Sequence, residues 1–440
     1  MQKPSMVWKI FFNRKKNPKG IITWPGLMIS TLFFIFIIRG ILHAQTPADF
    51  SLLENSIDAI VREGLDSQAY PGAQVLVAKD GNIILNKSYG YHTFEKITPV
   101  KNDDLYDLAS ITKVTTGLPI LMKLYGEGKF DLDASLKTYF PKFKNSNKGN
   151  LIVREILAHQ AQLQPYIVYW AKTVKKNGKF KSRTFKPKQS KRFPTHITDD
   201  LYLHRKYKNR IYKFIKKSPL DEIKEYKYSG LFFLLLPQIV SDLTGEDFET
   251  YLYKNIYQPI GANHLLYNPL NKFPASQIIP TEMDTLFRKK QVHGTVHDEA
   301  AAMLGGVSCN AGLFSNAEDL FKLFQLYLDG GAYNGQQIIP ENAVKEFTRC
   351  QYCEMGNRRG LGFDKPMIEY VENGSYVARD ASPESFGHSG FTGTFVWADP
   401  QNKTVVVFLS NRVYPTRENR KLYSMNIRPR IHQAVYDFFK

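Results

Sequence analysis

The sequence predicts an α/β fold of the α+β kind, one antiparallel sheet flanked by helices and closed by strands from both ends of the chain. Three observations lead there. β-rich runs joined by tight turns occur near both ends, helices lie outside those hairpins, and the long middle is mostly helical or irregular. With 43% hydrophobic and 23% charged residues the chain is globular, and composition excludes a disordered one. Its 440 residues suffice for one large domain with subdomains, or for two.

The elements follow in order. Residues 1–45 read as a targeting segment: Lys3, Lys9, Arg14, Lys15, Lys16 and Lys19 form a cationic stretch without an acid, and Gly26 to Ile38 is apolar until Arg39. That run is shorter than the roughly 18 residues of a spanning helix, so it fits a signal peptide ending near Gln45. The alternative is an uncleaved inner-membrane anchor in which Arg39 snorkels. Either way the positive flank stays cytoplasmic and the body is exported to a periplasmic or other extracytoplasmic place. A helix over about 51–63 precedes strands at 74–78 and 83–89, joined by Lys79-Asp80-Gly81-Asn82, a hairpin turn. Ser110-Ile111-Thr112-Lys113 then opens the run Val114, Leu118, Leu121, Met122, Tyr125, one apolar helical face. The apolar segment 231–243 holds Pro237 and stops at Gly245, so it reads as a buried helix rather than a membrane span. Ser315-Asn316-Ala317-Glu318 fits a capping box for a helix through Leu328, ended by Gly330-Gly331. A second hairpin joins 394–398 to 404–409, and the last helix covers about 429–439.

Chemistry enters at Ser110. Positions i and i+3 share a helical face, so the Ser110 hydroxyl and the Lys113 amine can meet. A serine is a poor nucleophile until a neighbouring base takes its proton, which makes S-x-x-K a compact nucleophile-base unit. Alone, the pattern also arises by chance at ordinary helix starts. Two further segments follow in order: Tyr226-Lys227-Tyr228-Ser229-Gly230, before an apolar run, and Phe386-Gly387-His388-Ser389-Gly390-Phe391-Thr392-Gly393-Thr394.

With these three segments the chain resembles the penicillin-recognising serine hydrolases, a family of class C β-lactamases, D,D-carboxypeptidases, D-aminopeptidases and related esterases. Those proteins carry S-x-x-K, Y-x-N and K-T-G or H-x-G on the walls of one cleft. The resemblance spans about 50–440. It implies a β-lactamase/transpeptidase-like fold with an inserted all-helical subdomain: α/β parts at about 46–110 and 300–440, and a helical subdomain at 111–299 that holds a basic insertion, 166–225. It also implies an exported serine hydrolase of ester or amide bonds that needs no cofactor and works through an acyl-enzyme on Ser110. Lys113 and Tyr228 would share the proton, and the backbone N–H groups of Ser110 and Phe391 would form the oxyanion hole. His388, Ser389, Gly390, Phe391, Gly230 and His159 would line the substrate site. The partner would be a small-molecule or peptidoglycan-derived acyl substrate. The rival is a catalytically idle member of the fold, an envelope-binding or regulatory module.

Two departures bear on substrate. Gly230 stands where the family has Asn, and His388 where it has Lys. Loss of an amide and of a permanent cation points to simple esters or uncharged amides ahead of β-lactams. Tyr226 competes with Tyr228, and register favours Tyr228 because Tyr-Ser-Gly directly precedes the apolar run.

Other groups carry less. His293, His297, Asp298 and Glu299 lack the zincin pattern, and no metal is expected there. Cys309, Cys350 and Cys353 are too few for a disulfide framework and read as incidental or structural. Seven of the eighteen excess positive charges lie in residues 1–45, and many of the rest crowd the insertion. Tyrosines interleave its second half, a pattern that nucleic-acid binders share, but an exported chain without a base-reading motif favours an anionic membrane or cell-wall surface, or a plain solvated loop.

Overall fold

Asp80 and Gly81 both take positive φ, 50° and 78°, and this left-handed pair turns β1 (Gly72–Lys79) into β2 (Asn82–Gly90). The computed structural model describes residues 49–440, which form one compact unit; the targeting segment expected over 1–45 lies outside the described residues. Three strands from the far end join the hairpin: β3 (Phe386–Ser389), β4 (Phe395–Asp399) and β5 (Thr404–Ser410). The order is β3-β4-β5-β1-β2, with every neighbour antiparallel. β1 pairs directly with β5, Val75 opposite Phe408, so the two ends of the chain close one sheet as the hairpins predict.

Both faces of this sheet are buried, and side chains alternate between two cores. Leu76, Ala78, Val396, Val405 and Val407 join the core that contains helix Ala317–Leu328 and the helical segments. Val75, Val77, Phe395, Trp397, Val406 and Phe408 pack under the terminal helices Ser51–Asp66 and Ile427–Phe439. Burial on both sides is why Val405 to Leu409 reads as an unbroken apolar run rather than an alternating one.

Three expectations need correction. The helix behind Ser110 is not continuous: a 3-10 turn at Ala109–Ile111 leads to Thr112–Thr115, and Thr116 (φ −122°, ψ −86°) breaks the backbone before Gly117–Gly126. Packing explains the break. A Cβ on Gly117 would lie 2.3 Å from Leu236, and the carbonyls of Val114 and Thr115 bond instead to the hydroxyls of Tyr327 and Tyr257, each at 2.7 Å. The cap of Ala317–Leu328 is Asn316, whose side chain accepts from the Asp319 N–H at 2.9 Å; Ser315 ends the short strand Leu313–Ser315, opposite Tyr106. Finally, the segment 111–299 is not all-helical: its helices alternate with long irregular stretches and short strands. The basic insertion folds a three-stranded sheet from Phe185–Lys186, Thr195–Thr198 and Leu201–Leu203, and Glu282–Asp284 pairs with Lys290–Val292. β-branched and aromatic residues at 195–203 favour strands there, a signal hidden among the charges. Cys350 and Cys353 are disulfide-bonded, whereas Cys309 is free and buried. No helix among the described residues is long and apolar enough to cross a membrane.

Candidate active site

Ser110 is presented by a strained turn. Ala109 before it has φ 47°, and the Asp107 carboxylate holds that turn by accepting the Ala109 N–H at 2.8 Å. The other oxygen of Asp107 accepts the His297 N–H at 2.7 Å, tying the turn to the loop before helix Glu299–Met303. Burial pushes the Asp107 carboxyl up, against the pull of these two N–H groups.

One helical step on, Lys113 is 2% exposed, and its Nζ donates to Ser110 Oγ at 3.0 Å. A second bond runs to the Asn310 carbonyl at 2.8 Å, and the ring centres of Tyr228 and Phe233 lie 5.2 and 5.5 Å away. The amine is therefore fixed from several sides, with the serine hydroxyl as its one hydroxyl partner.

Tyr228 closes the second side. His159, itself at φ 58°, holds both peptide flanks of Tyr228: its carbonyl accepts the Lys227 N–H at 2.9 Å and its Nδ1 accepts the Ser229 N–H at 3.2 Å. The two rings lie 4.6 Å apart, and the His388 ring is 6.0 Å from that of Tyr228. The hydroxyl of Tyr226, the competing tyrosine, accepts from Arg359 Nε at 3.2 Å. Tyr228, not Tyr226, is the tyrosine whose ring lies against the Lys113 amine.

The third side is the end of β3. His388 Nδ1 donates to the Ser389 carbonyl at 2.8 Å, and burial, then the charges of Arg359 and Lys113, hold the imidazole well below its ordinary pKa. His159 is pushed down for the same reasons, so both rings are neutral near pH 7. Gly390 is required where it stands. A Cβ there would lie 2.0 Å from Thr394 Oγ1 and 2.4 Å from the Leu108 carbonyl. Thr392 and Thr394 donate to the carbonyls of Asp107 (2.7 Å) and Leu108 (3.0 Å), which staples this strand end to the nucleophile turn. The backbone N–H of Phe391 has no acceptor among the described residues, as an oxyanion donor requires.

Four residues here escaped the sequence reading. Asn310 supplies the carbonyl that fixes Lys113, and its amide donates to Asp298 at 3.1 Å. A Cβ on Gly230 would lie 3.8 Å from Asn310 Cβ, so the residue beside the missing family amide is itself an amide. Arg412, fully buried, donates Nε and Nη2 to the Phe391 carbonyl at 3.0 and 2.7 Å, with its guanidinium 4.5 Å from the Phe391 ring centre. Asp107 sets the turn. Arg359 is the most consequential: buried, 5.2 Å from the Tyr228 ring centre, it lies on the segment whose Asp364 bonds to Gly387 at the edge of β3. Around Tyr228, four buried polar groups have no partner among the described residues: the Tyr228 hydroxyl, His159 Nε2, His388 Nε2 and Arg359 Nη1.

The remaining polar residues have other work. His297 meets Glu282 at 2.7 Å and stacks on the exposed Phe391 ring; Glu282, held down to about 2 by His297 and Arg417 against its burial, and Glu299 both pair with Arg417. Asp298 caps helix Glu299–Met303, and His293 faces the carbonyls of Ala275 and Ile278.

Comparison with known proteins shows what the chain as a whole is similar to. The family model described as Beta-lactamase matches residues 57–426. Proteins of Salmonella enteritidis and Salmonella typhimurium, provisionally named D-alanyl-D-alanine carboxypeptidases, are 31% identical over 396 residues, covering 83% of this chain and 84% of theirs. Among solved structures, EstCE1, a hydrolase with promiscuous acyltransferase activity, superposes with a TM-score of 0.62 at 16% identity, over 87% of this chain and 99% of its own. A penicillin-binding protein homologue from Caulobacter crescentus gives 0.61 at 18% identity, over 89% and 98%. A class C β-lactamase gives 0.61 at 15%, over 90% and 100%. At such identities these structures speak for the shared fold.

Proposed function

Because the chain belongs to the beta-lactamase family of serine hydrolases, which act on ester or amide bonds, we infer that it works through an acyl-enzyme on Ser110. The observation that carries this reading is Lys113 Nζ at 3.0 Å from Ser110 Oγ, immobilised by the Asn310 carbonyl under the Tyr228 ring. Oγ attacks the acyl carbon, and its proton passes through Lys113 and Tyr228 to the departing nitrogen or oxygen as that bond breaks. The N–H groups of Ser110 and Phe391 receive the oxyanion. Water then adds to the acyl carbon, the Ser110 ester bond breaks, and the proton returns to Oγ.

The substrate reading shifts with Arg359. A preference for uncharged esters follows if the cleft has lost its cation at His388, but a permanently charged guanidinium lies beside that histidine; its Nε pairs with Asp364 at 3.3 Å, and its Nη1 has no partner among the described residues. This supports acyl substrates with a carboxylate near the scissile bond, such as peptides ending in a D-amino acid, in line with the names of the Salmonella relatives. Export is part of the proposal and rests on the cationic and apolar pattern of residues 1–45. A fluorophosphonate or labelled penicillin tests the reading: covalent labelling of the wild type that disappears in Ser110→Ala supports it, and a wild type inert to every acylating probe favours the idle module.

A further inference from the structure

The basic insertion is not a featureless charged loop. The turns flanking its small sheet and the first turns of helix Tyr207–Lys217 line a half-open, concave pocket of about 810 Å3, on the scale of small-ligand sites. Seven lysine and arginine side chains line it, among them Arg183, Arg192, Arg205 and Arg210, with no carboxylate. None of the seven forms an ion pair among the described residues; the acids of the neighbouring turn, Asp199 and Asp200, pair with His196 and Lys290 instead. All seven are solvent-exposed, so none is held there by packing, and like charges gathered this way repel.

Backbone and imidazole geometry add to the positive field. Helix Tyr207–Lys217 is eleven residues long, has no side-chain cap and carries no acid in its first turn, so its positive end faces the cations unrelieved. His204, in the pocket wall, receives Arg192 Nε at its Nε2 (3.1 Å) and the Lys206 N–H at its Nδ1 (3.1 Å). A neutral imidazole has one acceptor nitrogen, so only one of these contacts is a true hydrogen bond and the other donor remains available to an oxyanion. Desolvation, then Arg192, Arg210, Lys206 and Arg205, push this ring's pKa down, so it does not itself add charge. The wall is pinned by bonds between the Arg205 N–H and the Arg192 carbonyl (3.0 Å) and between the His204 N–H and the Thr184 carbonyl (2.9 Å).

We propose that this pocket is a second binding site, separate in chemistry from the Ser110 cleft, for a compact ligand carrying a diphosphate or a comparably dense oxyanion group. Arginine forks favour such groups because each offers two parallel N–H donors to a pair of oxygens. Concavity favours a discrete ligand over a sheet of lipid headgroups, and so narrows the anionic-surface partner read from the sequence.

Calorimetry with inorganic pyrophosphate, on the mature protein in 150 mM NaCl (about the physiological ionic strength), tests the site. Saturable binding of one pyrophosphate per chain is expected, weakened by roughly tenfold or more in Arg192→Ala/Arg210→Ala, with a rise in melting temperature that equal ionic strength of NaCl does not reproduce. Circular dichroism establishes that the variant is folded, and the single substitutions Arg192→Lys and Arg210→Lys, which retain the charge, should weaken binding less. No saturable binding, or binding unchanged in the folded double variant, overturns the proposal. So does binding to phosphatidylglycerol vesicles that pyrophosphate fails to displace. None of these readouts depends on turnover at Ser110.

Discussion

The two walls of the cleft are built to different tolerances. On the sheet side, the end of β3 meets the nucleophile turn at backbone distance: Gly390 leaves no room for a Cβ, and Thr392 and Thr394 bond to the carbonyls of Asp107 and Leu108. On the helical side, Tyr228 is held through one histidine and is surrounded by polar groups that no atom of the described residues satisfies. The first wall fixes where the acyl carbon reacts. The second keeps unspent hydrogen-bonding capacity, as a wall that selects a substrate would. The departures from the family pattern are Gly230 on the helical wall and, on β3, His388, whose ring faces Tyr228, whereas Ser110, Lys113 and the glycine at 390 conform.

The comparison can be broken at its strongest point first. Ser110→Ala and Lys113→Ala should each lower kcat by about 10⁴-fold or more, and the double variant should be no worse than either, as for residues acting as a unit. On the sheet wall, Gly390→Ala should lower kcat by about 10²-fold through displacement of the oxyanion donor, and should cost about 1–3 kcal/mol of stability as an overpacked contact. Near-normal kinetics in that variant would show that the wall is less rigid than its contacts imply. On the helical wall, Tyr228→Phe should cost about 10²-fold, while Tyr226→Phe, which only loses its bond to Arg359, should cost a few-fold at most.

Selectivity sharpens the contrast. Arg359→Ala should reduce kcat/KM for carboxylate-bearing acyl amides by one to two decades, the worth of a charge-assisted bond of about 1.5–3 kcal/mol, and leave neutral esters nearly unaffected. Equal losses on both substrate types would assign Arg359 a structural role instead. The smallest effect is on pH dependence. His159 and His388 are buried as neutral rings with pKa values below that of an exposed imidazole. Below about pH 6.5 the unfolded chain binds protons that the native state refuses, so stability falls as pH drops from 7 towards 5. Melting temperatures across that range check the sign, and His388→Asn should flatten the slope.

Much of this was legible in the sequence, for physical reasons. Hairpins, terminal helices and the three motifs are local patterns, so Asp80-Gly81 and the spacing from Ser110 to Lys113 announced themselves. The break at Thr116 was not local: it depends on Leu236, Tyr257 and Tyr327 packing against the turn from far along the chain. Asn310 and Arg359 escaped for the same cause, since they meet Lys113 and Tyr226 across 197 and 133 residues. The shift of the cap from Ser315 to Asn316 reflects pairing of Ser315 with Tyr106, a tertiary contact that outweighed a plausible local motif.

The central claim is a covalent intermediate on Ser110, and its most direct test is mass spectrometry of the protein acid-quenched during turnover of an acyl ester. A mass increase equal to the acyl group is expected on the peptide containing Ser110, and none in Ser110→Ala. Steady turnover without any adduct on that peptide, persisting in Ser110→Ala, would contradict it.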